Sequence, residues 1–490
     1  MKPLTQKDQI APYLFDASQF SGAAEKVFLP ENEKEISELL AEANQKKIPV
    51  TVSGGRTGLT GAAVPLSGWV ISTEKLNRIM EIKKAGNSWA RLQPALLLKE
   101  IQKALDPHAI FYPPDPTGPK AFLGGTVGTN ASGPNSFKYG TTRRYVRRMR
   151  VVLASGEVLD LRRGQIIANQ KGILEIHAPA LKFSVPHYSI PRIKHAGGYF
   201  VQPKMDAVDL FIGSEGTLGV TTEIEIGLLP KPEQVLTFMI FFAQEEDSWK
   251  FVKNLRRESR GTARRAPTFQ ITIQPRVLEY FDSGSLKFLR PGFPAISKSA
   301  NACLFIEQET GSKNEKQMLG LWHELFTKFG AVEIWEGDSL AKQEEFRNFR
   351  SALPLAVKDF LAQHHQVKIG TDTCVPDERF EELMLFHRQK AEEGGFQTVT
   401  FGHIGESHVH LNILPRSDDE AGRGRALYPE LVNKALALGG TFSAEHGVGK
   451  LKRRYLTQFF GPQAVKEMLL IKRTFDPNLI LGPGNLFEIQ

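Results

Sequence analysis

Two short stretches in the C-terminal half of the chain gather side chains capable of acid–base and metal chemistry. The first is Gly402-His-Ile-Gly-Glu-Ser-His-Val-His-Leu-Asn-Ile-Leu414. Read as a strand from His408 to Leu414, it puts His408, His410 and Asn412 on one face and Val409, Leu411 and Ile413 on the other. His403 arrives from the Gly-flanked turn before it. A lone strand histidine usually has a packing role, but three imidazoles and an amide on one face are costly to bury without partners. The second stretch, Ser443-Ala-Glu-His-Gly-Val-Gly-Lys450, sets a carboxylate beside an imidazole among glycines that permit close approach. Imidazole with carboxylate is a donor set for Zn²⁺, Mn²⁺ or Fe²⁺. It is not H-E-x-x-H, so the helix signature of zinc proteases is missing. Arg350, on an expected helix from Ala341 to Ala362, and Lys368 just beyond it are cations able to clamp a carboxylate, although an isolated cation is more often a surface charge.

Other elements must position these groups. Ile36, Leu39, Leu40 and Ala43 fall at helical spacing over residues 34–47, and Ile48–Val52 then reads as a buried strand. The loop Ser53-Gly-Gly-Arg-Thr-Gly-Leu-Thr-Gly61 follows, and Gly68–Thr73 reads as a further strand. With glycines at G-x-x-G-x-x-G, no Lys and no helix behind it, this is neither a Rossmann fingerprint nor a phosphate loop. A strand–loop–strand cradle can still turn bare backbone N–H groups onto a diphosphate. Further clusters are Pro113–Thr117, Gly124–Gly133, Lys138–Arg143 and an apolar strand from Asp209 running into Gly213–Val220. One such cluster is explained by a tight turn. Several of them point to a large flat polar cofactor lying against main chain, for which flavin adenine dinucleotide suits better than a single phosphate. Arg150–Leu153 and Val158–Leu161 flank a turn at 154–157. Past Pro230-Lys-Pro232 come expected strands at 235–242, 268–273 and 302–308 and helices at 247–257 and 313–329. That order resembles a ferredoxin-like antiparallel sheet with helices on one face.

At 490 residues the chain needs more than one core. Its 41% apolar and 24% charged content is that of a folded soluble protein, with no run long enough to span a membrane. The N-terminus carries charges where a signal peptide needs an apolar stretch, so a cytoplasmic location is expected. Cys303 and Cys374 alone exclude a disulfide framework or an iron–sulfur site on this chain. The net charge of +8 rests partly on clusters at Arg143, Arg144, Arg147, Arg148 and Arg150, and at Arg256, Arg257, Arg260, Arg264 and Arg265. A solvated face is the plain reading. Attraction of anionic substrates or of an acidic membrane surface is the alternative. No nucleic-acid motif accompanies the clusters, so no nucleic-acid partner is expected.

Together the motifs resemble the flavoproteins of vanillyl-alcohol-oxidase (PCMH) type, in the branch of D-lactate, D-2-hydroxyglutarate and glycolate dehydrogenases. The resemblance spans essentially the whole chain and includes the tail Phe475–Asn485. It implies an α+β fold: an FAD-binding domain at 1–231, a ferredoxin-like substrate (cap) domain at 232–440, and a segment at 441–490 returning to the FAD domain. The implied FAD contacts are Ser53, Gly54, Gly55, Arg56, Thr57, Gly58 and Leu59, then Pro114, Asp115 and Thr117. They continue with Gly124, Gly125, Thr126, Gly128, Thr129, Asn130 and Gly133, then Lys138, Tyr139 and Gly140, and finally Glu215, Gly219, Val220 and Asn485. FAD would be held non-covalently. His403, His410 and Glu445 would ligate a divalent metal, Zn²⁺ or Mn²⁺. His446 would be the base, Asn412 a substrate-orienting group, and Arg350 a carboxylate clamp, with Lys368 matching only loosely.

The sequence departs from the usual G-H-x-G-D-G-N-x-H-x-N motif by carrying Glu406, Ser407 and His408. Arg144 replaces a usual Asp, Gly482 a common Asn, and Pro354 stands where some relatives have a polar substrate contact. The expected reaction is oxidation of a small anionic D-2-hydroxy acid. Electrons would leave to a quinone, a cytochrome, an electron-transfer flavoprotein or an iron–sulfur subunit. Peripheral contact with the inner membrane face and a homodimer are further expectations. Two other readings share the fold: an alkylglycerone-phosphate-synthase-like enzyme acting on a lipid, and a catalytically silent flavin-binding subunit.

Overall fold

Residues 1–133, 141–231 and 442–490 form one unit, and residues 134–140 and 232–441 form another. The computed structural model describes residues 1–116, 118, 120–263 and 272–488. The segment 134–140 thus lies with the second unit, whereas the sequence reading had it within 1–231. Thr117, Arg264, Arg265 and most of the strand expected at 268–273 lie outside the described residues.

The first unit begins with strand β1 (Lys26–Phe28), helix α1 (Glu33–Lys46) and strands β2 (Val50–Ser53) and β3 (Trp69–Ser72). The three strands are parallel in the order β1-β3-β2. Asn32 caps α1 by accepting from the Glu35 N–H, and Ile36, Leu39, Leu40 and Ala43 form its buried stripe, as their spacing requires. The C-terminal tail completes the layer, because Val50 N–H donates to Ile480 and Gly482 N–H donates to Val50. A second, antiparallel sheet has the order β4-β5-β8-β6-β7, with β4 (Ile79–Lys83), β5 (Trp89–Leu92), β6 (Val146–Val152), β7 (Val158–Arg162) and β8 (Val220–Gly227). Short helices α2 (Leu123–Gly128) and α3 (Ala207–Phe211) flank it in sequence. The segment leading into Gly213 is therefore helical where a strand was expected. Asp206 explains the difference: its carboxylate accepts from the Val208 N–H and starts the turn.

The second unit runs β9 (Gln234–Phe242), α4 (Glu245–Ala263), β10 (Pro275–Phe281), α5 (Ser283–Leu289), β11 (Ala302–Thr310), α6 (Glu315–Lys328), β12 (Ala331–Glu336) and α7 (Leu340–Gln363). It continues with β13 (Ile369–Gly370), β14 (Thr373–Cys374), β15 (Thr398–Gly402) and β16 (His408–Ile413). The sheet order is β12-β9-β11-β10-β15-β16-β13, with β14 also pairing β16. Its first four strands are antiparallel in the ferredoxin-like arrangement. The strand after α4 starts at Pro275, a residue tolerated at a strand's first position. Helices cover both faces here, not one. Phe238, Ile240 and Phe242 pack against α4 and α6, while Met239 and Phe241 pack against α5 and α7. The unbroken apolar run of β9 requires cover on both sides.

Much of the basic excess is consumed internally, which corrects the solvated-face reading for these positions. Arg143 is half-buried and donates to the carbonyls of Asp209 and Ile212, and desolvation pushes its pKa down to about 10. Arg150 pairs with Glu33 at 2.7 Å, Arg148 with Asp160 at 2.6 Å, and Arg256 donates to the carbonyls of Ile404 and Gly405. Among the described residues no helix is long and apolar enough to cross a membrane.

Candidate active site

In the second unit, β16 lies in register with β15, and the turn joining them carries His403. Val409, Leu411 and Ile413 enter apolar clusters, leaving the imidazoles and Asn412 on the opposite face. The ring centroids lie 4.6 Å apart for His408 and His410, 5.4 Å for His403 and His408, and 6.1 Å for His403 and His410. His403 Nδ1 is 2.5 Å from Glu279 Oε1. His410 Nδ1 is 2.9 Å from the Thr371 carbonyl. Carboxylate and carbonyl oxygens only accept, so both rings carry the proton on Nδ1 and keep the lone pair on Nε2. His408 is wired the other way, with Nε2 3.2 Å from Asp372 Oδ1 and Nδ1 as its basic nitrogen. The donor set therefore fits a divalent metal: neutral imidazoles, oriented from behind.

Glu279 is fully enclosed by His403 and Arg350, whose Nε donates to Oε2 at 2.9 Å. Burial works to raise its pKa, but the two cationic-capable neighbours outweigh that and hold the carboxyl well below the usual range. Arg350 is thus drawn into the same group as the histidines through α7. Asn412 is buried; its Nδ2 donates to the His410 carbonyl at 2.9 Å, and its Oδ1 has no hydrogen-bond partner among the described residues. Lys368 is exposed, one residue before β13, whose Gly370 faces Asn412. Among the described residues no hydrogen bond or ion pair joins it to the imidazoles. The departures from the family motif have local roles: Glu406 accepts from Ser136, and Ser407, at φ 55°, donates to Asp377 at 2.7 Å.

In the first unit, Glu445 and His446 sit on the turn 443–449. Ser132 Oγ and Lys194 Nζ each lie 2.9 Å from Glu445 Oε2, while Oε1 is 3.7 Å from His446 Nε2. The turn is held from below by Glu215, whose carboxylate accepts from the N–H groups of Val448 at 2.8 Å and Gly449 at 2.7 Å. Burial raises the Glu215 pKa to about 7. Lys450, its pKa pushed down to about 8 by burial, donates to Asn485 Oδ1 at 2.6 Å, and Asn485 Nδ2 donates to the carbonyls of Glu215 and Ala62. Glu215 and Asn485 thereby tie three distant segments together.

The expected cofactor glycines sort into two kinds. A Cβ added at Gly55 would lie 2.3 Å from the Lys120 carbonyl, at Gly124 2.6 Å from Pro94, at Gly133 2.1 Å from the Asp115 carbonyl and at Gly219 2.4 Å from Val151. These four serve close packing of the chain on itself. At Gly125 and Gly128 a Cβ would meet nothing within 4 Å, and at Gly54 and Gly58 nothing closer than 3.9 and 3.8 Å. Bare backbone facing open space on the β2 loop and on α2 is what a flat cofactor needs. Arg56 lies over the Tyr13 ring at 4.5 Å, and the Gly128 carbonyl accepts from Glu215 N–H at 2.8 Å, which joins two of the segments expected to contact flavin. Ser53 closes β2 and Val220 opens β8. Thr126 and Thr129 turn their hydroxyls onto their own helix, and the Asn130 side chain accepts from the Arg143 N–H. Lys138, Tyr139 and Gly140 fall in the second unit, where Lys138 and Tyr139 both engage Glu309.

Four residues of the site escaped the sequence reading: Glu279, Thr371, Asp372 and Lys194. A Glu amid Val277, Leu278, Tyr280 and Phe281 is a detectable sign of a buried charge. The others carry no local signal.

Known proteins agree with this architecture. The family described as "FAD binding domain" matches residues 24–162, and "FAD linked oxidases, C-terminal domain" matches residues 261–486. Glycolate oxidase subunit GlcD of Bacillus subtilis is 29% identical over 488 residues, covering 97% of this chain and 92% of its own. A D-lactate dehydrogenase of Anaerostipes hadrus is 29% identical over 466 residues, covering 92% and 87%. Among solved structures, an alkyldihydroxyacetonephosphate synthase superposes with a TM-score of 0.70 at 17% identity, covering 98% of this chain and 82% of that one. The chain belongs to the FAD-linked oxidases and is similar, among them, to D-lactate and D-2-hydroxyglutarate dehydrogenases and glycolate oxidase.

Proposed function

We propose that the chain oxidises a small 2-hydroxy acid, D-lactate, D-2-hydroxyglutarate or glycolate, to the 2-oxo acid. The observation that carries this reading is the wiring of His403 and His410, whose Nδ1 protons are engaged by Glu279 and Thr371 so that each offers Nε2. With Glu445 they would hold a divalent ion. Bound FAD would supply a hydride acceptor at its N5, and the ion would lower the pKa of the substrate hydroxyl.

The chain's own residues supply the rest. His446, half-buried beside Glu445, takes the hydroxyl proton, and the carboxylate steadies the resulting imidazolium. Arg350, anchored through Nε on Glu279, holds the substrate carboxylate, and Asn412 orients the hydroxyl-bearing carbon. The electrons would then leave to an external acceptor, and the two buried thiols Cys303 and Cys374 offer no iron–sulfur relay on this chain.

The test is an anaerobic visible spectrum of the purified protein before and after adding each acid. Flavin bands near ~450 nm that bleach with one D-acid, not with its L-form, and only before chelation support the reading. Bands that no hydroxy acid bleaches overturn it and favour a lipidic substrate.

A further inference from the structure

We infer that His408 is a further metal ligand, through Nδ1, and that Asp372 is the residue that positions it. The inference rests on the metal reading above and deepens it. In the usual family motif this position is Asn, so the donor is a departure from that motif.

Three observations meet here. One nitrogen from each of His403, His408 and His410 lies within 4.8 Å of the others, so the three rings converge on one point. Asp372 lies behind His408 at 3.2 Å, and both side chains are buried, at 1% and 0% exposure. A buried carboxylate forces the facing Nε2 to carry the proton, so the lone pair sits on Nδ1. The same arrangement orients His403 through Glu279 and His410 through Thr371. Thr371 and Asp372 are consecutive, so one short stretch of chain, held to β16 by β13 and β14, orients two ligands. A buried histidine needs an acceptor for its N–H in any role; what sets His408 apart is that its ring converges with two other oriented imidazoles.

Three imidazoles change which ion is favoured. Nitrogen-rich sets suit Zn²⁺ or Co²⁺, whereas Mn²⁺ prefers oxygen. The site should therefore select Zn²⁺ or Co²⁺ over Mn²⁺ through His408.

The experiment uses the full flavoprotein, stripped of metal and compared at matched flavin content. Zn²⁺ affinity is read by competition with a chromophoric chelator, Co²⁺ coordination from its visible bands, and Mn²⁺ affinity from the electron-spin signal of the free ion. His408→Asn should weaken Zn²⁺ and Co²⁺ about tenfold or more, change the Co²⁺ bands, and leave Mn²⁺ within about threefold. Asp372→Asn, which keeps His408, should weaken Zn²⁺ about tenfold through loss of orientation and carries the test if His408→Asn does not fold. Zn²⁺ affinity and Co²⁺ bands unchanged in both variants, with binding lost in His403→Asn, would overturn the role of His408 while sparing the metal site. A wild-type chain that binds none of the three ions overturns both.

Discussion

Glu279 shows how one buried side chain organises the chemistry around it. It takes His403 on one oxygen and Arg350 on the other, so it fixes a tautomer and a cation at once. Glu279→Gln can keep one of these bonds but turns an amide N–H toward the second donor. Removing a partner from a buried ion pair typically costs about 3 kcal/mol or more. The expected outcome is a clear fall in melting temperature, with a raised KM for the hydroxy acid because Arg350 loses its anchor; an unchanged KM would separate Arg350 from substrate binding. Glu279 also marks the limit of reading residues from sequence. His408, His410 and Asn412 were legible as one polar face because strand period puts alternate residues together. Their orienting partners were not, since Glu279 meets His403 across a strand pairing set by tertiary structure.

At the scale of elements, the loop after β2 and helix α2 present glycines that look alike in sequence and differ in space. Gly55 is pressed against the Lys120 carbonyl, whereas Gly125 faces open space. The two Ala substitutions should therefore part company. Gly55→Ala should destabilise the unliganded chain and lower flavin content. Gly125→Ala removes a helix glycine worth about 1 kcal/mol, so the unliganded chain should melt no lower, yet FAD should bind more weakly. Calorimetry of the unliganded protein and fluorescence titration with FAD decide this. Wild-type FAD affinity in Gly125→Ala would mean that the open face is not the cofactor's. The sequence showed where glycines cluster but not which kind each is, because that depends on neighbours such as Pro94 and Lys120 that the fold brings up. Elements were legible where a period was strong, as in α1. They were misread where a capping carboxylate, as at Asp206, started a helix in an apolar stretch.

At the scale of the molecule, the first unit is stitched from distant segments by buried polar links rather than by apolar packing alone. Lys472 is buried, donates to the carbonyls of Thr217 and Leu481, and pairs with Asp476 at 2.5 Å. Glu215, at the centre of the other link, has its pKa raised from 4.5 to about 7, so the folded chain holds a proton that the unfolded chain releases. Its contribution to stability is therefore greatest below about pH 4.5 and is lost as pH rises through about 7, a change of order 3 kcal/mol. Glu215→Gln should remove that decline, flattening the melting temperature between those limits. Parallel declines in both proteins would assign the titration to another group. The return of residues 442–490 to pair with β2 has a consequence for biosynthesis. A ribosome releases every residue of the second unit before it releases that segment. The second unit can close on the nascent chain while β2 still waits with an unpaired edge, which is the condition that invites chaperones and misassembly. Completion of the first unit would then wait on how quickly this segment docks onto β2.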